Sequence, residues 1–139
     1  MTRRSQELEG PVIVVHTQAQ AVAALAAAAR AGRPVVLASP PGAAAAMGAG
    51  LFGAIVAAAR AAHPEARSLA VLDCGDRAGD AMGALREGIE AVCFRGAADV
   101  AAKLAEMAAG SGARVVAELA VSLDLAGSAD PQADVFARF

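Results

Sequence analysis

The chain has 139 residues, of which 57% are hydrophobic and only 3% aromatic, and its formal net charge is −2. This length fits one domain with a sizeable core, because a domain of about 150 residues buries roughly 70% of the surface that its unfolded chain exposes. Nucleic-acid binding requires a clustered cationic surface, and the chain has no basic cluster beyond Arg3–Arg4. We therefore expect no nucleic-acid partner.

The sequence also carries signals of location. The N-terminal residues MTRRSQELEG are polar and no apolar segment of a signal peptide follows them. The alanine-rich segments are interrupted by Arg, Gly and Pro, so none offers about 20 strongly apolar residues to cross a membrane. Cys74 and Cys93 lie in predicted buried strands, which is typical of reduced thiols. Together with an alanine- and arginine-rich composition typical of a GC-rich genome, these features predict a bacterial cytoplasmic protein without a membrane partner.

Short apolar runs alternate along the chain with segments of helical periodicity. The runs are Val12–His16, Pro34–Ala38, Leu69–Asp73, Ala91–Phe94 and Arg114–Leu119. Each run is continuously apolar rather than alternating, so we expect strands that are covered on both faces, as in a parallel sheet. Between the runs, apolar residues recur at helical spacing, as at Val100, Leu104 and Met107. This alternation predicts right-handed βαβ units.

The predicted fold class is α/β, with a five-stranded parallel βα repeat that resembles half of a TIM barrel. A flavodoxin-like open three-layer sandwich and a small Rossmann domain are alternatives, because periodicity does not separate the three arrangements. We expect one domain over residues 11–125, preceded by a flexible segment, 1–10. A tail, 126–139, follows it, and Val135 and Phe136 could dock this tail on the domain.

The third strand carries the most specific residues. Leu72-Asp73-Cys74-Gly75 follows a His-Pro-Glu turn and leads through Met82–Gly88 into Ala-Val-Cys-Phe-Arg-Gly. This segment resembles the class II fructose-bisphosphate aldolase family, in which a strand reading His-Leu-Asp-His-Gly precedes a helix ending in Ala-Gly and a strand similar to Ser-Val-Met-Ile-Asp-Gly. Ser39-Pro-Pro-Gly42-Ala, with a later Gly, resembles the family's Ser…Gly-Ala…Gly segment. Val-Val-Ala-Glu118-Leu resembles its Val-Glu-Ala-Glu-Leu-Gly, and the four segments keep the family's order.

The resemblance implies the first half of a barrel and a role for three residues. It places Asp73 at the general acid/base position, Ser39 at a substrate contact and Glu118 at the glutamate of a mobile loop. The family's metal-ligand histidine is Cys74 here, and an aspartate after the fourth strand is Arg95. The family's other metal ligands and its phosphate loops belong to the second half of the barrel, beyond the last residue of this sequence. We therefore expect no metal, no cofactor and no aldolase activity.

Parallel α/β sheets bind ligands beyond the carboxyl ends of their strands. The residues at these ends are His16, Ser39, Asp73, Cys74, Arg95 and Glu118. If the protein is an enzyme, we predict that Asp73 and Glu118 are its catalytic residues. The predicted ligand-binding residues are Ser39, Gly42, Cys74 and Arg95, which suit a small anionic or sugar-phosphate ligand. Equally, Asp73 and Arg95 could form a structural ion pair.

Two further patterns are weighed and given no role. A single cysteine and a single histidine on separate strands fall short of the three protein ligands of a catalytic zinc. Nothing in the sequence indicates that His16 activates Cys74 as a nucleophile, so His16 and His63 remain without a catalytic assignment. Gly48–Gly53 reads G-x-G-x-x-G, which allows a nucleotide-binding alternative. However, residues 39–47 separate it from the preceding strand, whereas the dinucleotide fingerprint begins directly after one.

The leading hypothesis is a non-aldolase descendant of the aldolase fold that serves as a small-molecule-binding or assembly module. A metal-free or partner-assisted lyase acting on sugar phosphates is the enzyme alternative, with a complementary chain supplying the missing strands. Five strands do not close like eight, so the inner face of the sheet is expected to lack a cover. Burial of apolar surface is worth about 25 cal/mol per Å², which favours a homodimer, although the terminal segments could also cover this face.

Overall fold

The structure is a computed structural model and describes residues 8–139. The predicted flexibility of residues 1–7 lies outside the described residues. Strands and helices alternate along the chain. In chain order they are β1 (Val12–Val14), α1 (Gln18–Ala31), β2 (Val35–Ala38), α2 (Ala43–Ala46), α3 (Ala49–Ala62), β3 (Ser68–Asp73), α4 (Ala78–Arg86), β4 (Ala91–Cys93), α5 (Ala98–Ala109), β5 (Arg114–Val116), β6 (Val121–Asp124) and α6 (Pro131–Phe136).

The strands form one sheet in the order β5-β4-β3-β2-β1-β6, and every neighbouring pair is parallel. The predicted α/β class with a parallel βα repeat is confirmed. The first five strands follow one another in sequence order, as in the half-barrel arrangement. The sheet also contains β6, a strand beyond the five that were predicted, and β6 lies beside β1, where Val12 is in register with both Val36 and Val121.

The two faces of the sheet have different covers. Side chains such as Ile13, Leu37 and Leu72 point to the helices and are buried in two clusters with them. The alternate side chains, including Val36, Val71 and Cys93, form a third cluster on the opposite face. Among the described residues this third cluster contains no helix residue. The helices therefore share one face of the sheet, which is the arrangement of a βα barrel rather than that of a three-layer sandwich.

The connection between β5 and β6 requires the sheet to curl. Neighbouring strands lie about 4.8 Å apart, so the outer strands of a flat six-stranded sheet would be about 24 Å apart. Only residues 117–120 join Val116 to Val121, and the five steps between these residues span at most about 18 Å. The edges of the sheet must therefore approach each other, and the third cluster lies inside the curl.

The inner face of the curled sheet is covered within a single chain. Val36, Val71 and Cys93 are each 0% exposed, and Leu8 and Leu119 are among the residues that pack against them. A second copy is therefore not needed to bury this face. The homodimer remains a prediction, and it would have to use another surface.

The C-terminal segment packs on the domain through α6. Asp130 caps this helix by accepting a hydrogen bond from the backbone N–H of Ala133 at 3.2 Å. Val135 is fully buried in the cluster formed with α1, and the guanidinium of Arg30 lies 5.2 Å from the centre of the Phe136 ring. In residues 8–139 no helix is long and apolar enough to cross a membrane.

Candidate functional site

Asp73 is the centre of a hydrogen-bond network at the carboxyl end of β3. Its Oδ1 accepts hydrogen bonds from the backbone N–H groups of Gly42 at 3.1 Å and Gly75 at 3.0 Å. Its Oδ2 accepts a hydrogen bond from Nη1 of Arg95 at 2.6 Å. The residue is only 2% exposed. Both carboxylate oxygens are thus engaged by the protein, as in the structural ion pair considered from the sequence.

Ser39 and Gly42 serve this network rather than an open pocket. Ser39 is 2% exposed, and its Oγ accepts a hydrogen bond from the backbone N–H of Asp73 at 2.8 Å. Gly42 has φ of +69°, a left-handed conformation that glycine adopts without the cost that a Cβ would bring. This turn directs its N–H to Asp73. The buried Ser39 therefore supports the backbone of Asp73, while Gly42, which is exposed, supplies an N–H to the carboxylate.

Arg95 is a predicted ligand-binding residue whose side chain reaches the surface. Its side chain is 41% exposed, and the hydrogen bond to Asp73 is the main cause that raises its pKa, with a smaller contribution from Glu118. A guanidinium has five N–H donors, and in residues 8–139 only Nη1 of Arg95 donates to another side chain. Glu118 is exposed in the connection between β5 and β6. The structure thus brings Asp73, Arg95 and Glu118 into one neighbourhood.

The two cysteines lie on opposite faces of the sheet. Cys74 belongs to a cluster on the helix side, whereas Cys93 lies inside the curl. Burial is the main cause that raises the pKa of the Cys74 thiol to about 12 and that of Cys93 to about 11. Cys74 is only 1% exposed, so a ligand would have to displace the residues packed around Cys74 before it could contact the thiol.

We expect both thiols to resist a thiol reagent such as 5,5′-dithiobis(2-nitrobenzoate) in the native protein and to react in urea.

The pKa values of the two thiols in the folded state exceed the ordinary value of 9.0. The contribution of the two protonated thiols to the free energy of unfolding should therefore be fully present below about pH 9. It should be lost as the pH rises towards 11 to 12, because the unfolded chain releases these protons first. Urea unfolding at pH 8 and pH 10 measures the decrease, which a Cys74→Ala, Cys93→Ala double variant should reduce. An equal decrease in the free energy of unfolding between pH 8 and pH 10 in the wild type and the double variant would contradict this expectation.

Gly50 and Gly53 lie inside α3 and Gly48 directly precedes it, so the Gly48–Gly53 segment does not form a phosphate-binding loop. Gly48 caps the helix, and a side chain added at Gly50 or Gly53 would meet its nearest neighbour at 3.7 Å or 3.8 Å, respectively. A cavity of about 210 Å³ beside Gly48 is also lined by Asp80 and Glu87, whose negative charge opposes phosphate binding. This geometry does not favour the nucleotide-binding alternative.

Replacement of Gly53 by alanine should raise the free energy of unfolding by about 0.5–1 kcal/mol. Gly53 lies inside α3, and the added Cβ would meet only Cδ1 of Ile89, at 3.8 Å. Urea denaturation compares the variant with the wild type. A loss of stability in Gly53→Ala would indicate a special role for this glycine. So would a loss of nucleotide affinity in the variant, if the wild type binds a nucleotide.

A second polar group, which the sequence analysis did not assign, lies at the ends of β1 and β6. Nε2 of His16 lies 2.6 Å from Oδ1 of Asp124, and the two side chains are 33% and 48% exposed. Oδ1 of Asp124 also accepts a hydrogen bond from the backbone N–H of Ala126 at 2.9 Å. This backbone bond is the main cause that lowers the pKa of Asp124, and the bond with His16 adds to it.

Gln20 holds both ends of this group in place. Its Oε1 accepts a hydrogen bond from the backbone N–H of His16 at 2.7 Å, and its Nε2 donates to the carbonyl oxygen of Leu125 at 2.8 Å. Thr17 caps α1, since its Oγ1 accepts from the backbone N–H of Gln20 at 3.1 Å. Thr17-x-x-Gln20 is a capping-box pattern. That pattern could have indicated the start of α1, although not the partner of His16.

His63 lies apart from both groups, after the end of α3. Its Nδ1 is 3.7 Å from Oε2 of Glu65. In the part of the chain that the structure describes, no three His, Cys, Asp or Glu side chains are grouped so that they could hold a metal ion.

Comparison with known proteins adds no relative. No family model matches this chain, and no curated protein matches it. The resemblance to class II aldolases therefore remains a prediction.

Proposed function

We propose that this protein binds a small anionic molecule at the carboxyl end of its sheet, and that Arg95 holds the ligand's anionic group. The observation that carries the proposal is the partly exposed guanidinium of Arg95, fixed by the buried carboxylate of Asp73 at 2.6 Å. Arginine donates two parallel hydrogen bonds to carboxylate or phosphate groups. A guanidinium that is already oriented loses less conformational freedom when it binds.

The surroundings of Arg95 indicate the rest of the ligand. Asp73 already balances one positive charge, and Glu118 adds an exposed carboxylate to the same neighbourhood. A ligand with one anionic group and one or more hydroxyl groups fits this arrangement, because the hydroxyl groups can donate to Glu118. A hydroxylated carboxylate or a sugar phosphate has this chemistry.

The geometry supports binding better than the lyase alternative. A general base needs an oxygen within reach of the substrate proton, whereas both oxygens of Asp73 are engaged by Gly42, Gly75 and Arg95. Catalysis by Asp73 would first require Arg95 to leave it. Asp73 therefore acts in this proposal as the residue that positions Arg95.

Thermal-shift and calorimetric titrations with phosphate, glycerate, glucose 6-phosphate and NAD test this proposal. A ligand at 100 times its Kd adds about 2.7 kcal/mol to stability. We expect Arg95→Gln to weaken binding of the best ligand at least about tenfold, since a hydrogen bond to a charged group contributes about 1.5–3 kcal/mol. Arg86→Gln, an exposed position on α4, is the matched control. Unchanged affinity in Arg95→Gln, or no binding by any of the four compounds, would refute the proposal.

Assembly is a second candidate function, because β5 leaves one edge of the sheet open. A cavity of about 550 Å³ lies between α5 and β5, with Ala105, Ala109 and Val115 among its lining residues. Val121 at the other edge is 50% exposed. Exposed edges of this kind favour pairing with another chain. Sedimentation of a compact monomer at micromolar concentration would remove this candidate.

A further inference from the structure

We propose that His16 is a proton-accepting group at the carboxyl end of the sheet, oriented by Asp124, and that it acts on a water molecule or on a hydroxyl group of a bound ligand. This site is separate from Arg95. Its residues lie at the ends of β1 and β6, whereas Arg95 follows β4. The proposal goes beyond ligand binding, since it assigns a proton-transfer step.

The hydrogen bond with Asp124 fixes which nitrogen of His16 is free. The lowered pKa of Asp124 keeps this carboxylate ionised near neutral pH, so it accepts the hydrogen bond and Nε2 of His16 must donate it. In the neutral imidazole the lone pair is then on Nδ1. Among residues 8–139, Nδ1 of His16 has no hydrogen-bond partner, and one third of the side chain is exposed to solvent.

Hydrogen bonds hold both the backbone and the ring of His16. Gln20 accepts a hydrogen bond from the backbone N–H of His16, and Asp124 binds Nε2 while Ala126 anchors Asp124. Asp124 of β6 thus holds the imidazole, and Gln20 of α1 holds the backbone that carries it. A base that is itself oriented by a carboxylate is the arrangement used to activate hydroxyl nucleophiles.

The proton-transfer step is balanced without a metal or a redox partner. Nδ1 accepts a proton from a water molecule or hydroxyl group, and the oxygen of that molecule or group attacks an electrophilic carbon at the same time. The leaving group departs with the bonding electron pair, and the imidazolium returns its proton to the leaving group or to solvent. The suitable substrate class is therefore a small acyl compound, with water or the ligand's own hydroxyl group as nucleophile.

Hydrolysis of p-nitrophenyl acetate by the purified protein tests this proposal. General-base catalysis contributes about 10²–10⁴-fold, so we expect His16→Gln to lower the rate at least tenfold. Gln keeps a donor for Asp124 and hence the link between β1 and β6. His63→Gln, which changes the only other histidine of the chain, should leave the rate unchanged. A rate in His16→Gln equal to that of the wild type would overturn the proposal.

Nitrogen-15 NMR of the imidazole groups supplies a measurement that does not depend on any variant's folding. In the wild type we expect His16 to have its proton on Nε2, where it is donated to Asp124, and its lone pair on Nδ1. A proton on Nδ1 in the wild type would refute the inference even if hydrolysis were observed. Arg95 is unchanged in these proteins, so a negative result for His16 would not contradict the anion-binding proposal. The ligand titrations with Arg95→Gln test that proposal independently.

Discussion

Replacement of Asp73 by alanine is expected to lower the free energy of unfolding by about 2–4 kcal/mol. The substitution removes the acceptor of two backbone N–H groups, those of Gly42 and Gly75, and of the Arg95 guanidinium. A fully buried donor left without a partner costs about 1–3 kcal/mol, but Gly42 is exposed and Gly75 is half-buried, so water can replace part of these two bonds. We place the total below the sum of these costs, because Arg95 is 41% exposed and water can solvate it. Urea denaturation followed by circular dichroism measures the loss.

Two control variants separate the causes of this loss. Asp73→Asn keeps an oxygen that can accept from both backbone N–H groups, so it should destabilise the protein less than Asp73→Ala does. Asp76→Ala, at an exposed position on the same loop, should change stability by no more than about 0.5 kcal/mol. A loss under about 1 kcal/mol for Asp73→Ala would mean that the network contributes little.

Replacement of Phe52 by alanine should have the largest effect on stability, about 3–5 kcal/mol. Phe52 is 1% exposed and belongs to the cluster between the helices and β3. It also lines a cavity of about 230 Å³ with Val56 and Ile89. Removing the ring would enlarge this empty space, and each Å³ of residual cavity costs about 24 cal/mol. Thermal and urea unfolding both report the change.

Leu51 provides a matched control for Phe52, because it is the preceding residue on the same helix and is 54% exposed. Leu51→Ala should change the free energy of unfolding by no more than about 0.5 kcal/mol. Comparable losses in the two variants would show that α3 does not present Phe52 to the core as the structure has it. A stable Phe52→Ala protein would also question the packing of α3 against β3.

The residues that form the strands could be recognised from the sequence. Pro34–Ala38 is apolar at every position and Leu69–Asp73 is apolar up to its final aspartate. The observed β2 and β3 differ from these runs by one residue at the amino end. Burial on both faces requires that pattern, because neither face of such a strand meets water. By contrast, β6 has the sequence Val-Ser-Leu-Asp, whose alternation differs from the other strands. It follows the Arg114–Leu119 run so closely that no turn signal separated the two.

The candidate site could be predicted only in part. Asp73 ends a predicted strand, Arg95 follows one and Glu118 is the penultimate residue of another, and the parallel sheet brings such positions to one edge. The role of Asp73 depended on contacts with Gly42 and Gly75, which are loop residues. Backbone N–H groups in loops leave no pattern in side-chain chemistry, so the engagement of both carboxylate oxygens could not be read in advance.

The amino-acid sequence by itself determined the local structure: which runs form strands, which segments form helices, and which polar residues follow each strand. These depend on neighbouring residues and on burial periodicity. Folding settled which strands are neighbours. It placed β6 beside β1, bringing Asp124 to His16, 108 positions away, and it curled the sheet until its inner face was covered. Runs of three or four apolar residues contain too little information to choose their partners, so long-range packing of the whole chain makes that choice.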